Sequence, residues 1–467
     1  MISDVGLSLP LNRPQYVPAP EVLVSALAWG TGQWAYPDDD VRASRFQGTA
    51  PTKPGVATTA PQTPGEISAF ADALRAQGMQ TEANDSVLVE AVLNAVTGVK
   101  SQKAKAVPVS PMTTHLALAQ NVRGVLGAKN PPDVGGILES MFGLGAEGAN
   151  CGRNATMASL WLDAADRRLV SDPVLRAADG AMATSLGLVP HLVDRFAPAR
   201  PGHAVWSGHL RDSPFAWLHD HWIKITSAAW VDALPPRVWT DWCTTLLRMG
   251  IAFGFLFENR WYESVARSIL TNESVPAGTL GSSSPLLLWP GARLPVSSRN
   301  VKPEMRRAVG NGVLARAALQ EHLGSDFARI TLHEAIERAR GHGALKQSLR
   351  EALSGRYWSG ACKNMYETIL YSVQQRDASA EVDYYGLLRQ HGNRYSVIQP
   401  GTEWMAVIAS LSCAEPGGET NVGEVLANLA QLGLRPELVE LVKALEEAGL
   451  AQGSADADHG VRVRSAY

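Results

Sequence analysis

The sequence predicts a mainly α fold: a multi-helical body followed by a smaller C-terminal α/β module. Three observations carry this. Apolar residues recur at helical spacing, as in Ile67, Phe70, Ala71 and Leu74, and again in Val87, Val89, Val92, Leu93 and Val96. Strand-like alternation is scarce, and helix start and stop residues bracket stretches such as Thr331–Gly341, Asn421–Gly433 and Pro436–Gly449. At 467 residues, with 45% hydrophobic and 19% charged, the chain is long enough for two or three domains and can bury a substantial core.

Residues 1–66 form an irregular N-terminal segment. Pro10, Pro14, Pro18 and Pro20 deny it a helical period, and 47–65 are almost pure Gly, Pro, Thr and Ala, as in a flexible connection. The start lacks the basic residues and apolar run of a secretory signal. The helical body is expected over 67–380. A polar break at 101–111 precedes a helix from Thr114 to about Leu126, and Pro285–Trp289 reads as a short buried strand. Thr331 with Glu334 has the form of a capping box, and Gly341 is the matching stop. The longest apolar run, Leu246 to Phe257, includes Arg248 and falls short of the ~20 residues of a membrane span, so it reads as a core helix.

The third unit is 381–467. Tyr395–Ile398 reads as a strand and Trp404–Ser412 as an apolar helix. After a turn at Glu415–Thr420, Asn421 with Glu424 signs the start of the next helix and Gly433 its end. A third helix opens at Pro436 and closes at Gly449, turning Leu438, Leu441, Val442, Leu445 and Leu450 inward. Gly453–Gly460 is a wing-like turn before Val461-Arg462-Val463-Arg464. In its order of elements this unit resembles a winged helix, a module that docks on DNA or on protein.

Charge separates these two roles. Residues 381–467 carry six Lys/Arg against twelve Asp/Glu, a net of −6. The third helix offers Arg435 and Lys443 against Glu437, Glu440, Glu446 and Glu447, a surface that repels phosphates. Partner binding is therefore assigned to Glu437, Glu440, Lys443 and Glu447. Residues 293–363 have the opposite sign, thirteen Lys/Arg against six Asp/Glu, a net of +7. Arg299, Lys302, Arg306, Arg307, Arg338, Arg340, Lys346, Arg350 and Arg356 are the candidate nucleic-acid contacts. The alternative for them is a solvated face with internal pairs such as Glu334 with Arg338.

Candidate catalytic features are few. Gly143–Gly148 spells GxGxxG, yet the residues before it read as a helix end, not as the strand a dinucleotide site needs. His203, His209, His219 and His221, with Asp212 and Asp220, are the densest possible metal ligands. His209, His219 and His221 are the candidates there if 219–221 is a loop or strand. Seven of the thirteen tryptophans fall between Trp206 and Trp261, as core or as a stacking platform. The cysteines, Cys151, Cys243, Cys362 and Cys413, form no CxxC; Cys151 stands near an expected helix start. No Gly-x-Ser-x-Gly elbow, Walker A sequence, EF-hand loop or HExxH is present.

In architecture the chain is similar to winged-helix accessory proteins found beside nucleases or ATPases in bacterial anti-phage systems. That likeness implies a cytoplasmic, non-catalytic adaptor touching DNA through its body and a partner subunit through its C-terminal module. The expected partners are other protein subunits and DNA, with no membrane and no cofactor. Two alternatives stand beside it: a sequence-specific DNA-binding regulator reading bases with the helix from Pro436, and a metal-dependent hydrolase using the His203–His221 region.

Overall fold

The computed structural model describes residues 5–14, 23–31, 63–96, 110–118, 134–146, 156–186, 206, 208–273, 275, 284–375, 377–378, 381–382, 384–392, 394–452 and 460–467. Among them the protein is mainly α, with only small sheets. Six helices follow α1 (Leu23–Thr31) in the first part of the chain: α2 (Pro64–Ala76), α3 (Asp85–Val96), α4 (Thr114–Leu118), α5 (Val134–Ala146), α6 (Met157–Ser171) and α7 (Pro173–Leu186). Helix α2 opens at Pro64, not at 67, because Thr63 and Glu66 form a capping box. On α3 the buried side chains are Leu88, Val89, Val92 and Val96, and Val87 points to solvent, a correction of one position to the predicted face. Helices α2, α3, α4 and α7 enclose a small core of their own, built on Phe70, Leu74, Leu88, Val92, Leu116 and Leu175.

The main core surrounds a single long helix. After α8 (Pro214–Ile225) and α9 (Ala228–Ala233), α10 runs 36 residues from Pro236 to Thr271, about 54 Å at the α-helical rise. It is buried on every side over most of its length, as a helix apolar all round must be. The predicted core helix over 246–257 lies within it. Buried Arg248 is satisfied there by the carbonyls of Ser372 and Gln374, at 2.8 and 3.0 Å. No helix among the described residues is long and apolar enough to cross a membrane.

Strand β1 (Leu287–Trp289) falls where a short strand is expected. Then come α11 (Lys302–Leu323), α12 (Leu332–Arg340), α13 (Gly343–Leu353) and α14 (Gly360–Val373). The Thr331/Glu334 capping box starts α12, and α10 packs against α8, α11, α13 and α14. An extended strap, Val5–Pro14, buries alternate residues Val5, Leu7, Leu9 and Leu11 in this core. The indole N–H of Trp261 and of Trp206 donate to the carbonyls of Leu7 and Ser8, at 2.9 and 3.1 Å.

The C-terminal elements are β2 (Asp377–Ala378), β3 (Glu381–Val382), β4 (Leu388–His391), β5 (Tyr395–Ile398), α15 (Thr402–Ser412), β6 (Glu419–Asn421), α16 (Val422–Leu432), β7 (Leu434–Pro436), α17 (Leu438–Glu447), β8 (Ala451–Gln452) and β9 (Arg462–Arg464). β6, β9 and β8 form an antiparallel sheet in that order, and β4 pairs antiparallel with β5. Asn421 caps α16 through its side chain, and Gly433, at φ 93°, ends it in the left-handed region that glycine alone adopts cheaply. Pro436 does not open the third helix. It lies in β7, which pairs in parallel with β1, so α17 starts only at Leu438. The expected wing at 453–459 lies outside the described residues.

Hydrophobic burial runs without a break from the body into these elements. Trp404, Val407, Leu429, Leu441 and Leu445 belong to the same core as Trp217 and Phe253. Polar ties cross the same boundary. Trp217 donates its indole N–H to Asn428, the Trp404 indole meets the Met249 sulfur at 3.3 Å, and Lys224 donates to the carbonyls of Leu411, at 2.7 Å, and Cys413.

Candidate nucleic-acid and partner interface

The nine predicted basic residues divide into separate environments. Arg338 and Arg340 are committed to carboxylates, Asp326 at 2.6 Å and Glu337 at 2.8 Å. Asp326 replaces the expected partner Glu334, whose carboxylate is held by the Thr331 backbone and hydroxyl in the capping box. Arg307 reaches Glu263 at 3.1 Å, and Lys346 donates to Asn272 at 3.3 Å. The Nε of Arg299 is buried without a hydrogen-bond partner among the described residues. Lys302 is half-buried at the first turn of α11.

The other three stand differently. Arg306 is exposed and lies over the ring of Trp358, its guanidinium carbon 4.4 Å from the centroid. Arg350 and Arg356 are exposed, and their side chains make no ion pair or hydrogen bond with any described residue. Arg356 sits in the turn between α13 and α14, two residues before Trp358, so the packing of Trp358 brings the Arg306 and Arg356 segments together.

The predicted partner residues lie on or beside α17. Glu440 accepts the backbone N–H of Ala292 at 2.7 Å, and the backbone N–H of Glu437 donates to the Trp289 carbonyl at 2.9 Å. These two are thus engaged with the body. The Glu440 carboxylate is part of this intramolecular clasp, whereas the Glu437 side chain remains exposed. Lys443 and Glu447 are exposed and pair with each other at 3.7 Å. Val439, which the sequence reading did not single out, is 71% exposed on the same helix. Leu288, paired with Arg435 in the sheet, and Leu294 are also exposed.

The histidine region is helical, which turns His219 and His221 to different sides of α8. His219 packs on Phe142 with ring centroids 4.7 Å apart and pairs with Asp220 at 3.0 Å. His221 stacks on Trp217, and its Nδ1 carries the proton donated to the Trp217 carbonyl at 2.7 Å. Burial pushes the His221 imidazole down to about 4, so it is neutral at neutral pH. His209 is exposed, and His203 lies outside the described residues. No group of three His, Cys, Asp or Glu able to hold a metal ion occurs among the described residues.

The GxGxxG spelling also acquires a different meaning. Gly143 and Gly145 lie within α5, not on a loop after a strand. Gly145 is where α5 crosses α8. A Cβ there would lie 2.6 Å from the Phe215 carbonyl carbon. Gly148 and Cys151 lie outside the described residues. All seven tryptophans from Trp206 to Trp261 are buried, which removes them as a stacking platform.

One cluster had no signal in the sequence. Glu258, fully buried on α10, lies 3.3 Å from Arg316, and Arg316 donates to the Leu11 carbonyl at 3.1 Å. Burial pushes the Glu258 carboxyl up and the Arg13 guanidinium down, and the charge of each opposes the other's shift. The cluster holds the N-terminal strap on the core. Its members come from three distant stretches, which no local pattern connects.

Compared with known proteins, the chain matches no family model and no curated sequence.

Proposed function

We propose that this protein is a non-catalytic, cytoplasmic accessory subunit of a bacterial nucleic-acid-associated assembly, of the type that serves anti-phage defence. Its body touches nucleic acid through the basic stretch, and its C-terminal winged-helix-like module docks a partner protein. The order helix, strand, two helices and a closing hairpin, with the sheet arranged β6-β9-β8, supports the winged-helix reading.

The observation that carries the division of labour is the clasp at the start of α17. A winged helix that reads DNA inserts the N-terminal residues of this helix into the major groove. Here the Glu437 N–H and the Glu440 carboxylate of that turn are tied to Trp289 and Ala292, while Val439 between them stays exposed. The surface left over is acidic around the exposed Val439, which suits a protein and opposes phosphate. Arg350 and Arg356, exposed and without side-chain partners among the described residues, are the body's contacts under this reading.

The test is nucleic-acid binding of the full chain across a salt series, with charge reversals at Arg350 and Arg356 compared with reversals at Arg435 and Lys443. Under the adaptor reading, the first pair weakens binding and flattens its salt dependence, and the second pair leaves both unchanged. The opposite pattern favours a DNA-binding regulator. Absence of binding at low salt in the unaltered protein overturns the nucleic-acid assignment altogether.

A further inference from the structure

We propose that the turn Arg356-Tyr357-Trp358, with Arg306 facing it, is a stacking platform for single-stranded nucleic acid. This rests on the reading of the body as the nucleic-acid contact and names the form of nucleic acid it takes. Tyr357 is 61% exposed, an aromatic ring left in water on a surface turn. The turn beneath it is anchored on both sides. Trp358 is held by Arg306, stacked over its ring at 4.4 Å, and by Tyr366, whose ring meets it edge-on at 5.9 Å. Gly310 leaves room for the Trp358 ring; even an added Cβ would stand 3.4 Å from it. On the far side, Ser359 caps α14 by accepting the Cys362 N–H at 3.2 Å. Tyr357 is therefore held outward on a braced support, and little order has to be imposed when a ligand arrives.

Charge selects the ligand. Arg356 has no side-chain partner among the described residues, and Arg306 keeps its guanidinium exposed while stacked. Of the carboxylates on the helices around the turn, Glu304 pairs with Arg260 at 2.6 Å, Glu367 pairs with Lys363 at 3.9 Å, and Glu351 accepts a hydrogen bond from Gln347 at 2.9 Å. A ring next to Arg356, with Arg306 exposed over the adjoining Trp358, matches a base flanked by phosphates. Duplex bases have both faces covered by their neighbours. A base can lie on Tyr357 only where the strand is single.

The experiment measures anisotropy of a labelled 20-nucleotide oligothymidylate, its oligouridylate counterpart and a duplex of equal length, with the full chain and over a salt series. The proposal expects tighter binding of the single strands than of the duplex. Tyr357→Ala should weaken single-strand binding by about 5- to 100-fold at every salt concentration, with an unchanged salt slope. Tyr357→Trp should restore it, a rescue that a merely structural role would not give. Arg356→Ala should flatten the slope, and Arg338→Ala, whose partner is Asp326, should not. The DNA and RNA arms identify which strand is the source. Equal affinity for duplex and single strand, with Tyr357→Ala neutral, overturns the platform and leaves the body's nucleic-acid contact standing. Binding of none of the three oligonucleotides overturns both.

Discussion

Two glycines on one helix yield opposite predictions. Gly143 and Gly145 both lie inside α5, so alanine at either gains ~1 kcal/mol of helix propensity. Around Gly143 nothing stands within 4 Å of an added Cβ. At Gly145 the same atom lies 2.6 Å from the Phe215 carbonyl carbon and 2.7 Å from the His219 Cβ, and closer still to the Phe215 oxygen. Nonbonded carbons settle at ~3.5–4.0 Å, so α5 and α8 must separate by about 1 Å. That motion loosens Met141 and Phe142 against Phe215 and Trp217 in the main core. Overpacking of this kind costs ~1–3 kcal/mol. The propensity gain cancels between the two variants, so Gly145→Ala should be less stable than Gly143→Ala by about that cost. Urea unfolding followed by tryptophan fluorescence measures it, since Trp217 and Trp222 lie on the displaced helix. Equal urea midpoints for the two variants would refute the helix-crossing explanation.

Buried His221 and half-buried Glu139 make stability depend on pH in opposite senses. His221 is held at about 4 against an ordinary 6.5, so its contribution is complete above about 6.5 and is lost as pH falls towards 4. Glu139 accepts the backbone N–H of Met157 and of Ala158, but burial still pushes its carboxyl up to about 7 from 4.5. Its contribution is complete below about 4.5 and is lost as pH rises through 7. Each is worth about 3 kcal/mol at most. His221→Gln should thus expose a fall in stability with rising pH, and Glu139→Gln the reverse; unchanged slopes in urea midpoints from pH 4 to 7.5 would exclude this account. Arg248→Ala should cost about 2–5 kcal/mol, because the carbonyls of Ser372 and Gln374 lose a buried charged donor; a shift below ~0.5 kcal/mol in the same assay would contradict it. Removing 381–467 should yield a chain that binds hydrophobic dye and aggregates, since Trp217 and Trp242 lose Asn428 and Tyr467; a soluble truncated protein with native-like tryptophan emission would show that the body closes its core alone.

Local features were legible in the sequence because their causes are local. The capping box at Thr331, the Asn421 cap, the Gly433 stop and the strand at Tyr395–Ile398 each depend on residues within a turn or two. The helical class follows from spacing over a dozen residues, and the long apolar helix from composition. The candidate site was only partly legible. The sequence located the basic stretch but could not say which arginines had partners. Arg338 found Asp326 in place of Glu334, and Arg307 found Glu263. Pro436 was read as a helix start because its partner strand, Leu287–Trp289, lies far away in the chain.

By itself, then, the sequence determined a mainly α chain with its helix ends marked, since capping and periodic burial act between near neighbours. Only the tertiary structure decided which charges remain free, which aromatic rings face water and how the third C-terminal helix is clasped. Those outcomes depend on ion pairs, stacking and strand pairing that reach beyond one element, as between Arg307 and Glu263, Arg306 and Trp358, and Leu287 and Leu434. Tyr357 and Trp358 illustrate the difference: adjacent in sequence and alike in chemistry, one is exposed and the other packed because only Trp358 meets Arg306 and Tyr366.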